Sequence, residues 1–329
     1  MKFPYYAKKR KGISGRGRKN GDKPMKKFAI LVLALVMCLA AVSAMAEKVT
    51  DFPALKAKMA AGGNVELGGN FTAPKVNGLL EVPAGKTVVL DLNGHSITAE
   101  SGRGFIISVK EGGTLTINAT GGGSIKNEYG YAIVNYGTLV VNGGTFTGDY
   151  ALYNGTYDSN KATATLNGGT FNGIDGGYSI ANCANMTIAG ATVKDWLSTS
   201  GKFKMNGGKV ENFVAVTADK SVASGISTEI SGGSISYMEV ATEDNVKEYN
   251  PVTITGGTIA ELEVTAPNGK KENTVNIVGG VVDGVNYTAQ EVVYWDAPAT
   301  GDTENLMMWV ALMAMAAMGL VATRKMSRQ

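Results

Sequence analysis

The chain holds very little histidine or cysteine, and each shortage excludes a class of site. His95 is the one histidine among 329 residues, so a site built from several histidines is excluded and a catalytic triad would have to use His95. Of the two cysteines, Cys38 lies in an apolar run near the N-terminus, and once that run is removed no internal disulfide can form with Cys183. The sequence therefore assigns no catalytic residue and no metal ligand.

Arginine is equally scarce in the centre of the chain. Residues 1–46 hold 11 basic groups and one acidic group, whereas residues 47–300 hold 17 basic and 25 acidic groups, and Arg103 is the one arginine among them. Phosphates are neutralised by clustered lysine and arginine, so this acidic centre excludes a nucleic-acid partner. The basic ends of the chain require another explanation.

The N-terminal segment, residues 1–46, has the layout of a secretory signal peptide. Two lysines follow Met25, and an uncharged stretch then runs from Phe28 to Ala46 and ends in small residues. Ala44 and Ala46 occupy the positions where a signal peptidase needs small side chains, which predicts cleavage after Ala46. Translation starts at Met1 or at Met25, and the alternative to a cleaved leader is an N-terminal membrane anchor.

The C-terminal segment, residues 297–329, has the features of a signal that anchors a protein at the cell surface. An uncharged stretch from Leu306 to Thr323 would span about 27 Å as a helix, enough for a bilayer core, and basic residues follow it. With Pro298, Ala299, Thr300 and Gly301 ahead of it, the segment resembles the LPxTG-like sorting signal of Gram-positive surface proteins. The resemblance implies that a sortase cuts after Thr300 and joins the chain to peptidoglycan.

Ala297 stands where such signals usually have leucine, which leaves the class of sortase open. Before processing, the helix would hold the protein in the membrane. The alternative is a plain transmembrane anchor that leaves the protein on the same outer face of the cytoplasmic membrane.

Between the two ends, one pattern recurs about every 23 residues: two apolar residues spaced by two, a small or polar marker residue, glycines, and another apolar residue. Side chains spaced by two point to one face of a strand. This period and alternation predict an all-β chain of stacked parallel coils. The markers are Asn93, Asn118, Asn142, Asn167, Ala189, Asn206, Ser231, Thr255 and Val278.

The repeat resembles the right-handed parallel β-helix of the pectate-lyase-like superfamily. The resemblance covers residues 62–296 and implies about nine coils of a single chain; the phrase GKTVVLDLNGHSIT is typical of the first full coil. Residues 47–61 are predicted to form a capping helix over that coil, with Leu55, Met59 and Ala60 at helical spacing and Gly62 as its stop. Residues 285–296 are predicted to close the other end.

Several polar residues have two interpretations, one as a binding or catalytic group and one as part of the structure. The asparagine markers form either a binding row or, as we favour, a ladder at a tight turn in which each amide bonds the neighbouring coil. His95 is placed on an outer turn and Cys183 in the core of a coil. Glu239 and Glu263 are predicted to face outward one rung apart, with Val214 at the equivalent position below. Such a pair suits a retaining glycosidase or Ca²⁺, the one candidate cofactor, but we favour the alternative, a solvated acidic stripe.

Tyr131, Tyr150 and Tyr178 begin equivalent strands, where their rings either stack on a ligand or pack on one another. The sequence favours a secreted, wall-anchored surface protein that binds a glycan or a host partner. The rivals are a polysaccharide lyase or glycoside hydrolase on the same fold, and a spacer without a ligand. Asp149, Asp175 and Asp195 fall at different distances from their markers, so the acidic sites of such enzymes do not transfer to this chain.

Overall fold

A computed structural model of the chain describes residues 46–75, 78–101, 104–156, 161–218, 225–242, 250–265, 274–287 and 291–294. The chain divides into two compact units, Met1–Ala46 and Glu47–Gln329. Most of the predicted signal peptide and the whole predicted sorting segment lie outside the described residues. Within the described ranges, no helix combines the length and the apolar character needed to cross a membrane.

One helix and 25 strands make up the described part of the chain. The helix, α1, spans Phe52–Ala61. The strands are β1 Glu47–Val49, β2 Gly63–Leu67, β3 Phe71–Ala73, β4 Leu80–Val82, β5 Thr87–Asp91, β6 Ser96–Ala99, β7 Phe105–Val109, β8 Thr114–Asn118, β9 Ser124–Asn135, β10 Thr138–Val141, β11 Thr145–Asn154, β12 Thr163–Leu166, β13 Thr170–Gly173, β14 Tyr178–Asn182, β15 Asn185–Ile188, β16 Thr192–Val193, β17 Trp196–Thr199, β18 Lys202–Ala218, β19 Ser227–Thr242, β20 Val252–Ile259, β21 Leu262–Thr265, β22 Thr274–Ile277, β23 Gly280–Val282, β24 Val285–Tyr287 and β25 Glu291–Tyr294.

The strands form a parallel β-solenoid of about eight turns, where the sequence predicted about nine coils. Each coil passes through three faces in turn. Face A holds β2, β5, β8, β10, β12, β15, the first parts of β18, β19 and β20, and β22. Face B holds β3, β6, β13, β16, β23 and the parts of β9, β11, β18, β19 and β20 that pair with them. Face C holds β4, β7, β14, β17, β21 and the last parts of β9, β11, β18 and β19.

The two-residue alternation fills the interior of the solenoid. The apolar pair before each marker and the apolar residue after it are buried, as the sequence predicted. Leu115 and Ile117 on face A and Phe146 on face B are all fully buried. Phe146 stacks on Phe171 of the next coil with ring centroids 4.9 Å apart. Each coil therefore repeats the inward positions of the coil below, and one continuous core runs through the stack.

The N-terminal end of the stack is covered by α1 and β1. Asp51 caps the helix, its Oδ1 accepting a hydrogen bond from the Ala54 N–H at 2.8 Å. Leu55 and Met59 are fully buried in the common core, and α1 contacts β2, β3 and β4. Residues 47–61 are not all helical as predicted, because Glu47–Val49 form β1 and pair in parallel with β2. Ala60, predicted to face the core, is exposed.

The C-terminal end closes by a change of strand direction. β24 runs antiparallel to β23, and β25 runs antiparallel to β22. These two strands fall within the predicted closing segment, residues 285–296. A parallel stack leaves its last strands with unpaired backbone groups, which invite pairing with another chain. The reversal supplies those groups with partners on faces A and B.

Candidate functional site

An aromatic stripe runs along the outer surface of face C. One ring projects from the start of the face C strand in six consecutive coils. Neighbouring ring centroids are 5.0–5.4 Å apart, close to the ~4.8 Å between adjacent strands. The stripe consists of Tyr131, Tyr150, Tyr178, Trp196, Phe213 and Tyr237. It contains the three tyrosines that the sequence singled out and three further rings.

Strand alternation and ring contacts hold the stripe in place. Leu197 follows Trp196 and is fully buried, so the indole must point outward. The contacts alternate in geometry: Tyr131 and Tyr150 meet edge to face at 80°, whereas Tyr150 and Tyr178 stack at 12°. Each such pair contributes roughly 0.5–1.5 kcal/mol beyond area burial. The rings pack on one another and are still partly open to solvent; Tyr178 is 36% exposed.

A second row of outward side chains runs beside the stripe on face C. Its members are in register over five coils: Ala181, Ser198, Ala215, Glu239 and Glu263. The first three side chains are short, and Ala181 is buried next to Tyr153, which pairs with it in register on the preceding coil. The last two are carboxylates. The row therefore changes from small to acidic along the solenoid, while the stripe stays aromatic.

The two predicted glutamates pair in register on β19 and β21 and face outward, as expected. The residue below them is Ala215, not Val214 as predicted. Val214 is fully buried and pairs with Met238. The register shifts between Val210 and Phe213, because this coil has one more residue at its corner than the next coil. Phe213 thereby points outward and joins the stripe.

Tyr237 links the end of the stripe to the carboxylates. Its hydroxyl donates a hydrogen bond to Oε2 of Glu263. Burial, this hydrogen bond and the nearby charges of Glu239 and Glu261 raise the pKa of Tyr237 well above its ordinary value. Burial and the neighbouring Tyr178 also raise the pKa of Tyr150. Both phenols are therefore neutral at physiological pH and available as hydrogen-bond donors or acceptors.

The corner that joins face B to face C, which we name the B–C corner, is acidic. Asp149, Asp175 and Asp195 occupy it in three consecutive coils, although they lie at different distances from their markers. A β-bulge between Gly148 and Tyr150 accounts for part of the difference in the number of residues between marker and aspartate. Oδ2 of Asp195 accepts a hydrogen bond from the Gly173 N–H at 2.9 Å, so this carboxylate also shapes the corner.

The asparagine markers form the predicted ladder over three coils. Asn142 Nδ2 donates to Asn118 Oδ1, and Asn167 Nδ2 donates to Asn142 Oδ1, both at 2.8 Å. Asn93 instead donates to Glu66 and to the Leu67 carbonyl, and it alone among these markers has a positive φ, of 46°. Left-handed backbone geometry, which asparagine tolerates at tight turns, is thus found at one of them. The ladder lies at the solvent boundary, since Asn167 and Asn206 are exposed.

A second ladder, which the sequence did not predict, is fully buried where face C ends. Asn135 Nδ2 donates to Asn154 Oδ1 at 2.7 Å, Asn154 to Asn182 Oδ1 at 2.8 Å, and Asn182 to Thr199 Oγ1 at 3.0 Å. All four side chains are at most 1% exposed. The second N–H of each amide bonds a backbone carbonyl where the next coil begins. The signal was visible as an asparagine four residues after each of Tyr131, Tyr150 and Tyr178.

His95 lies on a turn, as predicted, whereas Cys183 is buried but lies outside the core cluster in which it was predicted to lie. His95 is half-buried in the turn between β5 and β6, and its backbone carbonyl accepts a hydrogen bond from Ser124. Cys183 is 2% exposed, and its Sγ lies 3.8 Å from Oη of Tyr153. Tyr153 in turn stacks on Tyr131, with centroids 5.7 Å apart. The thiol therefore packs beside the aromatic stripe, at the corner where face C ends.

The predicted processing sites fall almost entirely outside the described residues. Ala44, Pro298, Ala299, Thr300 and Gly301 are not described, and Ala46 is exposed just before β1. In the described ranges, no group of three or more His, Cys, Asp or Glu side chains is placed to hold a metal ion. No family model, curated protein or solved structure matches the chain.

Proposed function

We propose that this chain is a secreted protein of the Gram-positive cell surface whose β-helix binds a glycan along the aromatic stripe. In this proposal the solenoid is right-handed and pectate-lyase-like. The observation that carries the proposal is the continuity of the stripe over six coils. Isolated surface rings are ordinary, whereas an extended apolar row on a soluble fold marks a binding surface.

A polysaccharide suits this surface better than a compact ligand. Sugar rings present apolar C–H faces that pack on aromatic side chains, and hydroxyls that bond polar groups beside them. The row repeats at the coil spacing, so successive sugars of an extended chain meet equivalent rings. The hydroxyl of Tyr150 can donate or accept a hydrogen bond along the same line, and that of Tyr237, whose proton is donated to Glu263, can accept one.

Replacing Trp196 with alanine is expected to weaken polysaccharide binding about tenfold, because one buried aromatic contact contributes about 1.4 kcal/mol. Trp196→Phe keeps a ring and should retain most of the affinity. Thr187→Ala, which alters the outer surface of face A in the same coil, is the matched control and should bind normally. The measurement is titration of the full chain in mild detergent against a polysaccharide panel.

Three outcomes of that panel contradict the proposal. Equal binding by the Trp196→Ala and Thr187→Ala variants would move the site away from the stripe. Capture of host proteins without any polysaccharide would replace the glycan by a protein partner. Release of reducing or unsaturated sugars, with or without Ca²⁺, would make the chain an enzyme, with Glu239 and Glu263 as the pair to test first because their strands are adjacent.

We further propose that the leader is removed after Ala46 and that a sortase joins Thr300 to peptidoglycan. Thr300→Ala is expected to remove most of the protein from the purified cell-wall fraction and leave it with the membrane, because the motif loses the threonine side chain next to the bond that is cut. Thr303→Ala, outside the motif, should leave wall attachment unchanged. Immunoblots of wall and membrane fractions measure both, and equal wall attachment of the two variants would refute sortase processing.

A further inference from the structure

We propose that the glycan bound by the aromatic stripe carries free amino groups, as in a polymer of unacylated 2-amino sugars. The inference rests on the proposed glycan-binding function and adds the charge of the ligand. It follows from the carboxylates that border the stripe on both sides and from the way in which the nearby lysines are paired.

The surface formed by face C and the B–C corner, from β9 to β21, is acidic. In its described residues it holds eight carboxylates and one lysine, Lys194, and two lysines of face B, Lys126 and Lys209, lie beside it. The lysines already face carboxylates: Lys126 lies 2.6 Å from Glu128, and Lys194 and Lys209 lie 2.7 and 3.4 Å from Glu211. The side-chain hydrogen bond from Lys194 is the main reason that the pKa of Glu211 is lowered. Among the residues that the structure describes, carboxylates therefore outnumber lysines on this surface.

Two of these carboxylates lie beside the rings themselves. Glu239 is two residues after Tyr237 on the same strand, and Glu263 pairs with Glu239 on the next coil. The hydroxyl of Tyr237 holds the Glu263 carboxylate against the end of the stripe. A sugar stacked on Phe213 or Tyr237 would therefore place its substituents next to both negative charges.

An ammonium group is the substituent that this arrangement favours. It is attracted by carboxylates and by the faces of aromatic rings, and the second attraction is worth about 0.5–1 kcal/mol at exposed sites. A uronic-acid polymer would instead bring like charges together, which opposes binding. A neutral polymer would gain the ring contacts and hydrogen bonds but no attraction between charges. The charge pattern thus distinguishes three chemical classes of polysaccharide that ring stacking by itself would accept.

The test compares three oligosaccharides of equal length on the full chain in mild detergent: glucosamine, N-acetylglucosamine and galacturonate oligomers, the last with and without Ca²⁺. The glucosamine oligomer is expected to bind about tenfold more tightly than the acetylated one, and its affinity should fall with added salt. Calorimetric titration at a pH where the amines are protonated gives the dissociation constants.

A double variant isolates the carboxylates. Glu239→Gln with Glu263→Gln keeps the shape of both side chains, and the amide oxygen introduced at the second position can still accept a hydrogen bond from Tyr237. The variant should lose about tenfold in affinity for the glucosamine oligomer and nothing for the acetylated one. The matched control is Glu229→Gln, which removes an exposed charge from face A of the same strand, β19. This control should behave like the parent chain.

The outcomes separate this inference from the proposed function. Equal or tighter binding of the acetylated oligomer overturns the amine requirement while glycan binding on the stripe stands. Preference for galacturonate, with or without Ca²⁺, overturns it as well. If no oligosaccharide of the three and none of the wider panel binds, both proposals fail. Loss of affinity in Glu229→Gln equal to that of the double variant would show a long-range charge effect in place of a site.

Discussion

Replacing Asn154 with alanine is expected to lower the free energy of unfolding by about 3–5 kcal/mol, because three buried hydrogen bonds disappear at once. Asn154 accepts from Asn135, donates to Asn182, and donates to the backbone carbonyl of Asn185. In the alanine variant, the buried Nδ2–H group of Asn135 loses its acceptor and faces the cavity left by the Asn154 amide. Buried polar groups that lose their partners cost far more than exposed ones, since no bulk water replaces the bond.

Urea denaturation of the full chain, followed by far-ultraviolet circular dichroism, measures this loss. Asn142→Ala is the matched control, because it removes the same side chain from the marker ladder at the solvent boundary. That variant should lose about 1 kcal/mol, since water can bond the neighbouring amides. Equal losses in the two variants would show that burial of the second ladder does not decide its contribution.

Replacing Gly208 with alanine is expected to cost about 2–4 kcal/mol, because it combines backbone strain with a collision between coils. Gly208 has a φ of +80°, and a Cβ there would lie 2.4 Å from the carbonyl oxygen of Ala191 in the preceding coil. A left-handed conformation costs an alanine roughly 1–2 kcal/mol. The remainder comes from moving one coil away from the next, which disturbs the hydrogen bonds between the two strands.

Gly176→Ala separates the two contributions. Gly176 has nearly the same φ, +76°, but a Cβ there would meet no atom within 4 Å. This control should lose only the conformational share, about 1 kcal/mol. The difference between the midpoints of thermal unfolding of the two variants reports the contact between coils. If both variants unfold at the same temperature, the coils tolerate the extra methyl group and the collision has no energetic weight.

The sequence was sufficient to predict the parallel coils, because each coil repeats its inward positions with a period of two. The spacing of Leu115 and Ile117, and of their counterparts in other coils, requires a strand with one buried face. A glycine follows every marker except Asn118 and permits close approach of successive coils: a Cβ at Gly207 would lie 2.1 Å from the Ala189 carbonyl oxygen. Local pattern and backbone geometry agree at these positions, so the fold follows.

The full length of the stripe could not be predicted, because the corners between faces contain different numbers of residues in different coils. Phe213 and Val214 are adjacent and both apolar, so composition does not say which one points inward. A single extra residue between Val210 and Phe213 decides it, and that shift depends on hydrogen bonding with the neighbouring coils. The three tyrosines were recognisable because their coils share a phrase, whereas Trp196, Phe213 and Tyr237 stand in coils of different length.

The buried amide ladder was missed for a different reason. Asparagine is mostly a surface residue, and the markers offered a plausible solvent-side ladder made of the same residue type. Burial of Asn135 and Asn154 is tolerated because the next coil supplies both an amide oxygen and a backbone carbonyl within hydrogen-bonding distance. These hydrogen bonds form only when the coils are stacked, so the sequence of a single strand does not indicate them.

The reversal of strand direction at β24 and β25 has a consequence for how such chains can change in length. Both closures, the helix at one end and the antiparallel pairs at the other, lie outside the repeating unit. Duplication or deletion of one interior repeat would thus leave both end caps intact and change the length of the solenoid by ~4.8 Å. A solenoid built in this way can change its length without changes to either of its end caps.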